Sequence, residues 1–177
     1  RRQVVDNNLV SQLRIDGLDP VALWNALDPE TRTEAARGLY GGDPADSDAR
    51  READAALAEA LRFRLVAIRK LPVEKRVAHL ARLSRLESSL VEALLVSLHV
   101  ARRRPMLIAF LDHLGIPHHD GVIDEQYELT SQDPEDLCKA VARLLEEFPA
   151  REVEVYLATL LALDPHTWGG LAPVLQQ

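Results

Sequence analysis

The chain has 177 residues, a formal net charge of −7 and a single cysteine. Its length suits one domain, and a hydrophobic fraction of 47% is enough to build a core without disulfide bonds. Only 5% of the residues are aromatic, so Leu, Val and Ala fill most of that core, which favours helices. One cysteine excludes an internal disulfide. The most apolar segment, 90–101, is interrupted by Glu92, Ser97 and His99 and is too short to span a bilayer. We therefore expect a cytoplasmic protein without a membrane segment.

Five of the ten prolines follow an aspartate, a pair that marks helix starts. Asp at the N-cap accepts a hydrogen bond from a free backbone N–H, and Pro at the next position has no N–H to leave unpaired. The five pairs are Asp19-Pro20, Asp28-Pro29, Asp43-Pro44, Asp133-Pro134 and Asp164-Pro165, the third within a loop-like sequence. We predict about nine to ten helices: 4–15, a short one from Pro20, 29–41, 48–70, one from Pro72, 88–103, 105–115, and those from Pro134, Pro149 and Pro165.

A proline-initiated segment recurs in the chain. Residues 71–83 reappear without a gap as 148–160, with Pro, Leu, Ala and Leu coinciding at a spacing of 77 residues. The prolines of four such segments are 43, 33 and 44 residues apart, which resembles the period of HEAT-type helical repeats. We predict an all-α protein of stacked antiparallel helical hairpins, either an irregular HEAT-like solenoid or a compact bundle. A single domain over 1–177, with about 57–98 duplicated as 134–175, would explain the match.

A histidine-rich segment precedes and enters the one long stretch without helical periodicity, 116–132, which we predict to be an irregular loop. Long irregular loops are often functional, and His and Asp are ligands of divalent metals. The candidate ligands are His113, His118, His119 and Asp120. No familiar metal-ligand spacing is present, so a helix end followed by a polar loop is the simpler interpretation. A metal-binding protein or metal-dependent enzyme is the first alternative function, and no other cofactor is expected.

Charge is distributed unevenly. Residues 61–104 contain eleven Lys and Arg against three Glu, whereas residues 120–136 contain seven acidic residues and no Lys or Arg. The arginine triplet Arg102, Arg103 and Arg104 ends the basic region, and we expect it to pair with the acidic segment or to face solvent. A basic surface also suits nucleic acid, but Phe63 is the only aromatic residue there that could stack on bases. A nucleic-acid-binding regulator is the second alternative.

The leading hypothesis is a non-catalytic helical interaction or scaffold module that docks a protein partner. No catalytic triad, carboxylate pair or phosphate-binding loop is evident, so we do not expect an enzyme. Central apolar helices are compatible with a homodimer. The candidate partner-binding residues are Arg102, Arg103, Arg104, His118 and His119.

Three further residues carry simple packing predictions. Trp24 and Trp168 lie near opposite ends of the chain, each shortly after an Asp-Pro pair, and we expect both to be buried as apolar anchors. Cys138 lies one turn into a predicted helix, where we expect a small buried residue rather than a reactive thiol.

Overall fold

The computed structural model describes residue 9 and residues 13–42 and 47–176. Within these ranges the chain forms eleven α-helices, one π-helical turn and one two-stranded hairpin, so the all-α prediction is confirmed with slightly more helices than expected. None of the helices described has the length and apolar character needed to cross a bilayer. The residues gather into two compact units. The central unit is Leu27–Leu107, and the terminal unit comprises the described residues of Arg1–Ala26 and Ile108–Gln177.

Most elements begin where the sequence predicts. The first seven are α1 (Pro20–Ala26), α2 (Pro29–Gly41), α3 (Ser47–Leu61), α4 (Leu65–Lys70), α5 (Val73–Arg82), α6 (Ser88–Ser97) and the π-helical turn (Leu98–Arg102). The others are α7 (Arg104–Leu114), β1 (His118–His119), β2 (Val122–Ile123), α8 (Pro134–Glu147), α9 (Ala150–Leu163), α10 (Pro165–Trp168) and α11 (Leu171–Leu175).

Four of the five Asp-Pro pairs start helices, and each Asp side chain accepts a backbone N–H bond, as Asp28 does from Thr31 at 2.7 Å. The fifth pair, Asp43-Pro44, lies outside the described residues. So does most of the helix predicted over 4–15, and residues 13–15 are not helical.

A close helix crossing forms the core of the central unit. Helix α2 packs against α5, α6 and the π-helical turn. Where α2 meets α6, a Cβ atom added to Gly38 would lie 2.7 Å from the carbonyl oxygen of Ser97. That separation is shorter than a carbon–oxygen contact tolerates, so glycine at this position lets the two backbones approach.

Replacing Gly38 with Ala should therefore destabilise the protein by about 1–3 kcal/mol, because the added methyl overpacks the crossing. Gly41 in the same helix is the matched control, since a methyl group added there would meet nothing within 4 Å. Gly41→Ala should leave the free energy of unfolding unchanged or raise it slightly. Urea denaturation measures both, and equal effects of the two substitutions would contradict the close crossing.

The helix predicted over 88–103 is wrong in one respect, because it loosens into the π-helical turn after Ser97. This turn contains His99, which is 3% exposed and places Nδ1 3.0 Å from the carbonyl oxygen of Leu95. Burial, helped by the nearby charge of Arg103, lowers the pKa of His99 to about 3. The imidazole is therefore neutral in the folded protein at ordinary pH.

The buried imidazole should make stability fall with acidification. An unfolded chain binds a proton on His99 below pH 6.5, whereas the folded chain does not until about pH 3. The contribution of the neutral His99 to the free energy of unfolding is therefore fully present above pH 6.5. It should decrease by about 2 kcal/mol between pH 7 and pH 5. Urea unfolding of the wild type and of His99→Leu at pH 7 and pH 5 measures the contribution of His99 to this pH dependence. An identical pH dependence in the two proteins would disprove it.

Aromatic packing organises the terminal unit, in which α9 contacts α1, α8, α10 and α11. The ring of Phe110 lies 5.5 Å from that of Tyr156, edge to face, and 5.7 Å from that of Trp168. Trp24 is 1% exposed and Trp168 is 4% exposed, which confirms the prediction that both are buried anchors. Cys138 contradicts its prediction, since it is exposed on α8, off the stripe of side chains that this helix buries.

The 77-residue match is visible in the structure where α5 and α9 begin. Pro72 caps α5 and Pro149 caps α9 with nearly the same backbone conformation, at φ/ψ of −53°/143° and −58°/134°. The elements before them differ, because α4 has 6 residues and α8 has 14. The HEAT-like stacking and the internal duplication stay predictions.

Candidate functional site

The continuous helix predicted over 48–70 is wrong, because α3 stops at Leu61 and α4 starts at Leu65. The stop has the geometry of a helix end that usually contains glycine. Phe63 N–H donates to the Ala58 carbonyl at 3.0 Å, and Arg62 takes a left-handed conformation with φ of 55°. A left-handed non-glycine residue costs roughly 1–2 kcal/mol. With arginine in place of glycine, the sequence gives no signal that the helix ends here.

The segment after this stop carries an exposed apolar cluster. Eight large apolar side chains are exposed in the described part of the chain, and four of them lie within residues 63–73. We call these four residues and the exposed cations next to them in the sequence the corner patch. Its apolar residues are Phe63, Leu65, Val66 and Val73, and its cations are Arg62, Arg64, Arg69, Lys70 and Lys75. The only acidic residue in this stretch, Glu74, forms an exposed ion pair with Arg37 at 3.2 Å. The patch therefore combines apolar surface with net positive charge.

Helix α4 contributes little to the core. Ile68 is its only buried residue, and a helix of six residues is too short to be stable by itself. Leu65 lies four residues before Arg69, and Val66 four before Lys70, so these pairs share the outward surface of the helix. Among the residues that the structure describes, none covers the outward apolar side chains Leu65 and Val66, which stay 37% and 62% exposed.

A buried polar cluster fixes the two helices that flank α4. Asp54 of α3 is 6% exposed, accepts a 2.8 Å hydrogen bond from the Tyr40 hydroxyl of α2, and lies 3.4 Å from Arg76 of α5. The Arg76 guanidinium also lies over the Tyr40 ring at 5.2 Å. Burial is the main cause that raises the pKa of Tyr40, and the hydrogen bond to Asp54 raises it further. The hydroxyl therefore stays protonated and donates the hydrogen bond. The cluster ties α2, α3 and α5 together, and α4 lies between α3 and α5 in the chain.

The arginine triplet is used mainly inside the central unit. The side chain of Arg103 is 10% exposed, and its Nε lies 3.4 Å from Glu34 Oε2 in α2. This pairing corrects the prediction that the acidic 120–136 segment is the partner of Arg103. Arg104 donates to the Val100 carbonyl at 3.0 Å. Of the triplet, Arg102 is exposed.

The segment predicted as an irregular loop contains a short hairpin. Strand β1 pairs antiparallel with β2, with His118 opposite Ile123 and His119 opposite Val122. Asp120 and Gly121 connect the strands with φ of 53° and 88°. A two-residue turn of this type requires positive φ at both positions, and Asp-Gly is its usual sequence. Asp-Gly was therefore the turn signal that the prediction of an irregular loop over 116–132 overlooked.

Two of the four candidate metal ligands, His113 and His118, hold separate hydrogen bonds. Gly121 N–H donates to Nδ1 of His118 at 3.1 Å, so Nε2 carries the proton and donates to Asp112 at 2.6 Å. His113 Nε2 instead lies 2.9 Å from Glu147, and His119 and Asp120 are exposed. In the described ranges, no group of three or more His, Cys, Asp or Glu side chains is arranged to hold a metal. The metal hypothesis stays a prediction.

Comparison of the chain with protein-family models, with curated proteins and with solved structures finds no match. The functional argument therefore depends on the chain's own surface, where the corner patch is the main concentration of exposed apolar residues among those described.

Replacing Arg62 with Gly should stabilise the protein by about 1 kcal/mol, because glycine adopts positive φ without the steric cost of a side chain. Arg64→Gly removes the same charge two residues later, where the backbone is extended with φ of −68°. This control should give no stabilisation. Urea unfolding compares the two variants, and a destabilised Arg62→Gly protein would contradict the left-handed stop.

Proposed function

We propose that this protein is a non-catalytic helical interaction module whose central unit docks an acidic protein segment on the corner patch. One observation carries the proposal: half of the exposed large apolar side chains in the described residues fall within eleven consecutive positions. Apolar residues gathered on a surface and surrounded by charge are typical of protein interfaces.

The charge of the patch favours an acidic partner. Five exposed cations lie in the same stretch of chain as the apolar residues, and its one acid, Glu74, is paired with Arg37. Such a local positive surface on a chain of net charge −7 steers acidic partners and orients them. The partner must also supply apolar side chains to cover residues such as Val66, which is 62% exposed.

Two other classes of partner fit the patch less well. Single-stranded nucleic acid is usually held by several stacked aromatic residues, and Phe63 is the only one here. A membrane surface is usually bound by a longer amphipathic helix than the six residues of α4. Both classes become outcomes of the test below. Docking of a protein partner in the cytoplasm is thus the function that we propose.

A synthetic acidic peptide with Leu and Phe between Glu and Asp residues should bind the full chain, as measured by fluorescence anisotropy. Higher salt should weaken binding, because the patch cations are exposed. Val66→Glu should weaken it at least tenfold, since it removes an apolar contact and adds a repelling charge.

Val96→Glu is the matched control, because Val96 is also an exposed valine, 47% exposed, on α6 of the same unit. It should leave peptide binding unchanged. A lysine-containing version of the peptide, vesicles with anionic lipid and a single-stranded oligonucleotide complete the set. Equal binding by both Glu variants, or Val66-dependent binding only to vesicles or oligonucleotide, would refute the proposal.

A further inference from the structure

The central unit contains an acidic groove beside the corner patch. An open cleft of about 550 Å³ lies between α3 and the segment that links α5 to α6. Its apolar surface comes from three alanines of α3 and from Leu83 and Leu90. Among the described residues that line it, three are acidic, Glu52, Glu59 and Glu87, and one is a cation, Arg85. The groove is therefore apolar and acidic, whereas the patch is apolar and basic.

The groove belongs to a surface of α3 that the fold leaves open. Residues 52, 55, 56, 59 and 60 recur at the spacing of one helix stripe, and Ala55, Glu59 and Ala60 are exposed. The opposite side of α3 is buried through Ala53 and Leu57. Alanine side chains are small, so the groove has room for the side chains of a partner.

Position connects the two surfaces. The groove wall ends at Ala60, and the corner patch begins at Arg62, just beyond the end of α3. When two complementary surfaces lie side by side on one molecule, a two-fold dimer can join each surface to its complement on the other copy. The contact then forms twice in each dimer, so a small contact is doubled in area.

Resting on the docking function proposed above, we infer that the partner of the corner patch is the acidic groove of a second copy of this chain. Leu65 and Val66 of α4 enter the groove over the alanines of α3. Arg69 and Lys70 then lie against Glu59 and Glu87 at the groove edge. Charge complementarity selects this occupant and makes the dimer sensitive to salt.

Charge exchange tests the dimer directly. Sedimentation equilibrium of the full chain at low ionic strength should show a monomer–dimer equilibrium. R69E/K70E makes the patch acidic and E59K/E87K makes the groove basic, and either change alone should raise the dimer dissociation constant at least tenfold. An equimolar mixture of the two variants should form a heterodimer, because both of its contacts then join opposite charges. The quadruple variant should dimerise by itself, which also shows that the reversals leave the chain folded.

The acidic 120–136 segment provides the decisive control. E125K/E128K makes the same change in net charge as E59K/E87K at exposed loop positions, and it should leave the dimer intact. Loss of the dimer in this variant would assign the contact to the loop and overturn the inference. A chain that stays monomeric at all concentrations, or no recovery in the mixture, would also overturn it. If the acidic peptide still binds in a Val66-dependent manner, only the dimer fails; if that binding is absent too, the docking function fails with it.

Discussion

A buried carboxylate joins three helices of the central unit, and the position of the corner patch depends on these helices. Asp54 accepts a hydrogen bond from the Tyr40 hydroxyl and forms an ion pair with the Arg76 guanidinium, so that one side chain joins three helices. A buried charge is tolerated only when it is paired and hydrogen-bonded, and both conditions are met here. Because two of these helices flank α4, the position of the corner patch follows from this cluster. Helix α4 itself buries only Ile68.

Local strain and exposed apolar surface coincide at the corner. Arg62 is left-handed where glycine would be relaxed, and the residues that follow it expose Phe63, Leu65 and Val66. Neither feature favours the stability of the isolated chain. Natural proteins often depart from local rules where a site needs a particular residue. Retaining arginine here adds a cation to the patch, which accounts for the departure if the patch binds an acidic partner.

Several polar residues that suggest function in the sequence have local structural roles in the fold. His118 closes the hairpin turn through Gly121 and pairs with Asp112, and Arg103 pairs with Glu34. A histidine whose two ring nitrogens are both hydrogen-bonded has no lone pair ready for a metal. A cluster of such residues along the chain therefore says little about whether they meet in space. In the fold these residues form hydrogen bonds and ion pairs with different partners.

The sequence by itself determined the helical class and most helix starts, because capping by Asp and Pro is a local interaction between neighbours in the chain. It also determined that Trp24 and Trp168 are buried, as their size and apolar character demand. The Asp-Gly turn was equally local and could have been predicted. Tertiary structure alone decided the break at Arg62, since neighbouring residues gave no stop signal, and the exposure of α4. Which apolar residues stay exposed depends on how many partners pack around each helix, and those partners come from distant parts of the chain.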